Sequence, residues 1–154
     1  MTQPDIRPTR SGDIPGLQQL LDATGLFPGE MLPGLLAGFL RGTPSEIWLT
    51  ALTGGEPAGL CHAAPEPMAD GTWNMRALAV RPADQGRGIG RALAAALEEM
   101  LRARQQRLII VDTSGQAGFA SARAFYASCG YGEVARIRDF WASGDDKITF
   151  RKRL

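Results

Sequence analysis

The sequence predicts a single mixed α/β domain: a mostly antiparallel sheet of about seven strands, about four helices and one βαβ crossover. Three observations lead there. Stretches that alternate like strands are interleaved with stretches that repeat like helices, and short turns separate them. At 154 residues the chain suits one compact core, so residues 1–154 are taken as one domain. The stretch Thr72 to Val80 runs through a glycine-rich turn into a long amphipathic helix and then a further apolar strand, the order of a crossover unit.

The elements follow in order. Ile6-Arg7-Pro8 suits a short edge strand, since proline is hard to place in a central one. Asp13 to Ala23 carries Ile14, Leu17, Leu20 and Leu21 at helical spacing and stops at Thr24-Gly25. A second helix, Met31 to Arg41, follows the loop Leu26-Phe27-Pro28-Gly29-Glu30. Glu46 to Leu52 and Ala58 to Ala64 flank Thr53-Gly54-Gly55-Glu56-Pro57, which reads as a hairpin connection. Pro65 to Gly71 is a turn-rich break before the strand Thr72 to Val80. Ile89, Leu93, Ala96, Leu97, Met100 and Leu101 make one apolar stripe on the next helix. Leu108-Ile109-Ile110-Val111 is a continuous apolar run, the pattern of a strand covered on both faces. Phe119 to Ser128 suits another helix, ended by Gly130. Gly132 to Phe140 and Lys147 to Arg153 complete the sheet around Ala142-Ser143-Gly144-Asp145.

Composition narrows the function. Lys and Arg number 17 against 16 Asp and Glu, a net charge of +1, which argues against a dedicated nucleic-acid binder. Arg102, Arg104 and Arg107, like Arg151-Lys152-Arg153, read as solvated ends of a helix and a strand. Two cysteines, Cys61 and Cys129, and one histidine are too few for a disulfide scaffold or a zinc site. No metal is expected, and a reduced cytoplasm is the default location. The longest apolar run, Leu32 to Leu40, is interrupted by Pro33 and falls short of the roughly 20 residues that span a bilayer. Met1 to Asp5 lacks the regions of a signal peptide, so no membrane partner is expected.

The chemistry concentrates in Met75 to Leu93, where a strand enters the turn Gln85-Gly86-Arg87-Gly88-Ile89-Gly90 and opens a helix. Such a turn is an anion cradle: glycines allow close approach, amide N–H groups converge and the helix end is positive. A P-loop needs Lys followed by Ser or Thr, whereas Gly90 is followed by Arg91-Ala92. A dinucleotide fingerprint fails in both frames, because Arg91 and Leu93 stand where its last small residue belongs.

What remains, Gln85-x-x-Gly88-x-Gly90 after Val80-Arg81-Pro82, resembles the GNAT superfamily of acyl-CoA-dependent N-acyltransferases. In that superfamily Q/R-x-x-G-x-G/A binds the coenzyme A pyrophosphate. Ser121 to Tyr131, with Tyr126 and then Gly130-Tyr131, is similar to its later helix. With the matching element order, the resemblance covers nearly the whole chain. It implies a GNAT fold in which one central parallel strand pair splays at the coenzyme site, with acetyl-CoA as cosubstrate. The amides of Gln85, Gly86, Arg87, Gly88, Ile89 and Gly90 would hold the pyrophosphate, with Arg87 and Arg91 adding charge. The main chain around Leu78, Ala79 and Val80, through Arg81, would pair with the pantetheine arm as an added strand.

Acyl transfer to an amine needs a neutral nucleophile, a polarised thioester carbonyl and a proton for the departing thiolate. By resemblance Tyr126 is the general acid. Its alternative is a core tyrosine beside Phe125. The strand Thr72 to Val80, where many relatives carry Glu, has no carboxylate, so Asp112 leads as general base, with Glu30 second. A capping or surface role stands beside each. The Asn that often precedes the later helix is missing from Gln116 to Ala120. The acceptor pocket implied by the fold would draw on Leu26, Phe27, Glu30, Phe140 and Trp141, with Asp139, Asp145 and Asp146 nearby, a set suited to a cationic amine. Cys61 and His62, as strand neighbours, point to opposite faces and form no nucleophile–base pair. Cys129 reads as a buried small hydrophobe, and Trp48 and Trp73 as core. The expectation is an N-acetyltransferase acting on a small-molecule primary amine, with a homodimer as the assembly. Two rivals remain: a protein N-terminal or lysine acetyltransferase, and a non-catalytic acyl-CoA sensor.

Overall fold

A computed structural model describes residues 3–42 and 45–154. Its strands are β1 (Asp5–Pro8), β2 (Ile47–Thr53), β3 (Glu56–Pro65), β4 (Thr72–Val80), β5 (Leu108–Ser114), β6 (Gly132–Ala142) and β7 (Asp145–Arg153). Its α-helices are α1 (Ile14–Thr24), α2 (Leu32–Leu40), α3 (Ile89–Ala103) and α4 (Ala120–Ser128). The strands form one mixed sheet in the order β1-β2-β3-β4-β5-β7-β6. The parallel pair is β4 with β5, in register from Thr72↔Leu108 to Asn74↔Ile110. The predicted mixed α/β architecture is therefore the observed one. Short 3-10 turns at Ser11–Asp13, Gly29–Met31 and Ala117–Phe119 precede α1, α2 and α4 and shift the expected helix starts slightly.

The packing resolves into two compact units, residues 1–64 with 76–100, and residues 65–75 with 101–154. In the first, Leu17, Leu20 and Leu21 of α1 and Leu32 and Leu36 of α2 pack on Trp48, Leu60 and Ala79 of the sheet, with Phe27 and Phe39 against them. Proline near the start of α1 and Gly25 in the left-handed region at its end (φ 70°) fix that helix's length. The β2–β3 hairpin turns on Gly54 and Gly55, at φ 59° and 82°, the paired left-handed conformation of a two-residue loop. Asp13 is buried and forks onto Arg7 at 2.7 and 2.8 Å while capping the Arg10 amide at 2.8 Å, which ties β1 to the start of α1.

The opposite face of β3 carries α3. A Cβ on Gly59 would lie 2.9 Å from Leu93 Cδ1 and 3.0 Å from Ile89 Cγ2, so the helix rests directly on a strand without a side chain. The stripe of α3 differs from expectation at its margin. Ile89, Leu93, Leu97 and Leu101 are buried as predicted, but Ala94 and Glu98 join them, while Ala96 and Met100 are half-buried. Three- and four-residue steps from Ile89 are nearly equivalent by period, and the contacts made by the helix decide between them.

In the second unit Ile109 and Val111 of β5 and Ile148 and Phe150 of β7 are buried. Leu108 and Ile110 are only half-buried, so β5 is sealed on one face rather than both. An apolar run is compatible with either arrangement, because periodicity does not report what covers the second face. Trp73 is buried as expected, with its indole N–H donating to Gln106 Oε1 at 3.0 Å.

Candidate functional site

The glycine turn is held from both ends. Past the end of β4, the Arg81 amide donates to Ala58 O at 2.8 Å, so Arg81 and Ala79 direct their main-chain groups to β3, and Leu78 and Val80 to the opposite edge. Leu78 and Val80 therefore keep main-chain groups on the edge of β4 that faces away from β3. The Gln85 carboxamide folds back and donates to Val80 O at 3.0 Å. Asp84, at 4% exposure, accepts from Arg81 Nε and lies 3.6 Å from Arg87 Nη1, while Arg81 also reaches Glu56 at 3.6 Å. The Asp84 hydrogen bond, with the charges of Asp84 and Glu56, raises the Arg81 pKa above its ordinary value.

Gly86 and Gly88 sit at φ 78° and 82°, where a Cβ is disfavoured by roughly 1–2 kcal/mol. The first helical bond of α3 runs from the Ala92 amide to Gly88 O at 3.0 Å. The amides just inside that start have no preceding helical carbonyl to bind, and the helix end is positive. Arg87 and Arg91 are exposed beside it. The loop therefore has the chemistry of a diphosphate cradle, and Asp84, to which the sequence assigns no role, fixes two of its arginines.

In the second unit, Tyr126 on α4 is half-buried, with ring contacts to Phe125, Tyr131 and Phe150 at centroid distances of 5.4, 6.1 and 5.9 Å. Asp112 on β5 accepts from Thr149 Oγ1 at 2.6 Å and from Asn74 Nδ2 at 3.2 Å. The same Asn74 amide donates to Glu66 Oε1 at 3.0 Å. β4, which has no carboxylate of its own, thus holds two borrowed from the β3–β4 connection and from β5. Glu66 and Asn74 are absent from the sequence expectation, and no local motif marks them.

Glu30 is exposed in the α1–α2 connection, whose Gly29 amide is accepted by Asp22 Oδ1 at 2.8 Å and whose Gly29 carbonyl accepts from Gln18 at 3.2 Å. Phe27 packs on the core while Leu26 is exposed. Phe140 and Trp141 are both 48% exposed and meet edge to face at 4.7 Å, with the Lys147 ammonium 4.2 Å over Phe140. The three aspartates shape the β6–β7 turn. Asp139 (φ 54°) accepts from the Gly144 amide, Asp146 accepts from the Asp139 amide and Arg136, and Asp145 accepts from Ser114. The Asp139 amide, then Arg136, holds the Asp146 carboxyl below its ordinary range.

Cys61 is fully buried, and burial pushes its thiol up to about 12, so no thiolate forms there near neutral pH. Cys129 is half-buried rather than buried, because it sits past the end of α4, where its carbonyl accepts from Lys152 at 2.8 Å. His62 turns away from Cys61 and stacks flat on Trp48, with ring centroids 3.8 Å apart and planes at 12°. Its Nε2 is 2.9 Å from Glu46 Oε2.

A strand, a glycine turn and a helix start in this element order match a known family along most of the chain: the profile of the Acetyltransferase (GNAT) family fits residues 17–131. The chain belongs to that family. As a GNAT acetyltransferase it is an acyltransferase, as the sequence predicts. A GNAT-family protein from Desulfovibrio desulfuricans has the same fold with a TM-score of 0.89 at 28% identity, over 98% of this chain and 99% of that one. The ribosomal-protein-S18-alanine N-acetyltransferase of Escherichia coli gives 0.80 at 18% identity, over 98% and 94%. An aminoglycoside 6'-N-acetyltransferase complexed with coenzyme A gives 0.80 at 18%, over 97% and 96%. At those lower identities the likeness is one of fold. No curated protein matches the chain. Among the described residues, no helix is long and apolar enough to cross a membrane.

Proposed function

We propose that this GNAT acetyltransferase, as one catalytic domain, moves the acetyl group of acetyl-CoA directly to a primary amine of a small molecule. The observation that carries the coenzyme half is the Arg81–Gly90 turn, with two glycines at positive φ and a buried aspartate fixing the arginines around a helix start. The solved aminoglycoside enzyme of the same fold, complexed with coenzyme A, supports it. Gln85 to Gly90 hold the diphosphate through their amides, Arg87 and Arg91 add charge, and Leu78 and Val80 offer main-chain groups to the pantetheine arm.

A lysine-like amine, with a pKa about 10.4, must shed a proton near pH 7 at a cost of roughly 4.6 kcal/mol. Carboxylates favour the ammonium form on arrival, and we take Asp112, which shares the Asn74 amide with Glu66, as the leading carboxylate for the acceptor, with Glu30 second. As the amine nitrogen bonds to the carbonyl carbon and the carbon–sulfur bond breaks, Tyr126 gives its phenolic proton to the sulfur. The exposed Phe140–Trp141 pair offers an aromatic wall to a cationic acceptor. A peptide acceptor is the second reading, favoured by the likeness to the ribosomal-protein acetyltransferase. We extend the proposal to a cytoplasmic homodimer, for which β6 supplies an edge strand exposed along its whole length.

The experiment is turnover against a panel of small amines and a panel of peptides, followed by free-thiol release, with calorimetry of acetyl-CoA binding beside it. Transfer to small amines is expected. Faster transfer to peptides selects the second reading, and binding without any transfer selects a sensor.

A further inference from the structure

The chain's single histidine has no part in the scheme above, yet it is built as bases in enzymes are built. We propose that His62 is the general base of the transfer, oriented by Glu46. The inference rests on the acetyltransferase reading.

The geometry comes from three strands. His62 on β3 is paired across the sheet with Trp48 on β2, and the flat stack between their rings fixes the imidazole plane. An ionised carboxylate only accepts, so the 2.9 Å contact with Glu46 Oε2 places the proton on Nε2 and leaves the lone pair on Nδ1. Glu46 is itself held, by the Trp48 indole N–H at 3.4 Å and by Arg76 Nη1 of β4 at 3.7 Å. An imidazole whose far nitrogen is pinned by a carboxylate is the arrangement that fixes tautomer and stabilises the imidazolium in hydrolytic triads.

Its place in the fold is also suitable. Leu60, two residues before His62 and so on the same face of β3, belongs with Trp48 and Ala79 to the cluster that α1 and α2 cover, and Phe27 of their connection packs there too. That connection also carries Glu30. His62 is 7% exposed, whereas the Glu46 side chain is 31% exposed, so the pair leads from the interior to solvent. Burial lowers the imidazole pKa, Glu46 opposes this and Arg76 adds to it, which leaves a neutral ring near neutral pH. Glu46, just before β2, and Arg76 from β4 are the charged groups that bear on it.

The proton balance is complete. Acetylating an ammonium removes two protons from nitrogen. The first passes to Nδ1 of His62, freeing the lone pair that forms the carbon–nitrogen bond, and then leaves to solvent by way of Glu46. The second leaves nitrogen as the carbon–sulfur bond breaks, and the departing thiolate takes up one proton to leave as the thiol.

The test uses the full chain and the best amine of the panel. In the wild type, kcat/KM is expected to fall on the acid side with a midpoint at or below about 6.5. His62→Gln removes that limb and lowers kcat by about 10²-fold, with the heat of acetyl-CoA binding unchanged. Glu46→Gln, a near-isosteric change, lowers kcat by about 10-fold and keeps the fold if His62→Gln does not. Asp112→Asn keeps the acid limb. Imidazole nitrogen NMR of this lone histidine is expected to show the Nε2–H tautomer. An acid limb that survives in His62→Gln, unchanged turnover, or an Nδ1–H tautomer overturns this inference alone. A wild type that binds acetyl-CoA but acetylates no amine overturns the functional reading and the base with it.

Discussion

The glycine turn and the two carboxylate-bearing clusters are built in opposite ways. The turn is closed by partners three to five residues apart: Arg81 and Arg87 with Asp84, and Gln85 with Val80. Asp112 reaches Asn74 and Thr149 across 38 and 37 residues, and Glu46 reaches His62 across 16. A diphosphate is the same in every coenzyme A, so under the proposed function one local peptide can hold it. An acceptor differs from enzyme to enzyme, and groups brought together by the sheet can be exchanged singly without disturbing the turn. The comparison teaches that coenzyme binding and acceptor chemistry in this protein should be separable by mutation.

The sharpest break between them is expected at Tyr126. Tyr126→Phe should lower kcat by roughly 10²-fold or more while calorimetry shows acetyl-CoA binding intact. Unchanged turnover would leave the phenol a packing role among Phe125, Tyr131 and Phe150. Next comes the turn itself. Gly88→Ala, at φ 82°, should weaken acetyl-CoA binding by about 10-fold through roughly 1–2 kcal/mol of backbone strain, with little change in the acceptor KM. Equal losses for both substrates would deny the division. A smaller effect, a few-fold rise in the KM for acetyl-CoA, is expected of Asp84→Asn, which releases Arg81 and Arg87; raising the salt concentration should narrow that difference.

The smallest effect is on stability. Burial holds the His62 pKa below its ordinary value, so on acidification the unfolded chain takes up that proton first. Stability should therefore decline as pH falls through the ordinary histidine range towards the lowered native value, and His62→Gln should remove that part of the decline. A thermal unfolding series across this range reads it.

Much of the architecture was legible in the sequence because it is written in local signals. Gly54-Gly55, the α1 leucines and the stripe Ile89–Leu93–Leu97–Leu101 each state their element and their inward face. Ala94 against Ala96 was not legible, since neighbouring helical positions differ by what they meet rather than by period. The glycine turn and the helix start behind it were legible as a turn and a helix start. Asp84 was not, because an aspartate between arginines looks like solvated charge until burial is known. Glu66, Asn74 and the Glu46–His62 pair were beyond reach for a different reason: sheet register, not spacing, brings them together.

Gly59 gives the fold a lever. Its bare Cα is the fulcrum on which the first turn of α3 rests, against Ile89 and Leu93. One added methyl there would have to displace the tips of Leu93 and Ile89, so a bare stretch of strand backbone sets how closely the helix start behind the glycine turn can sit.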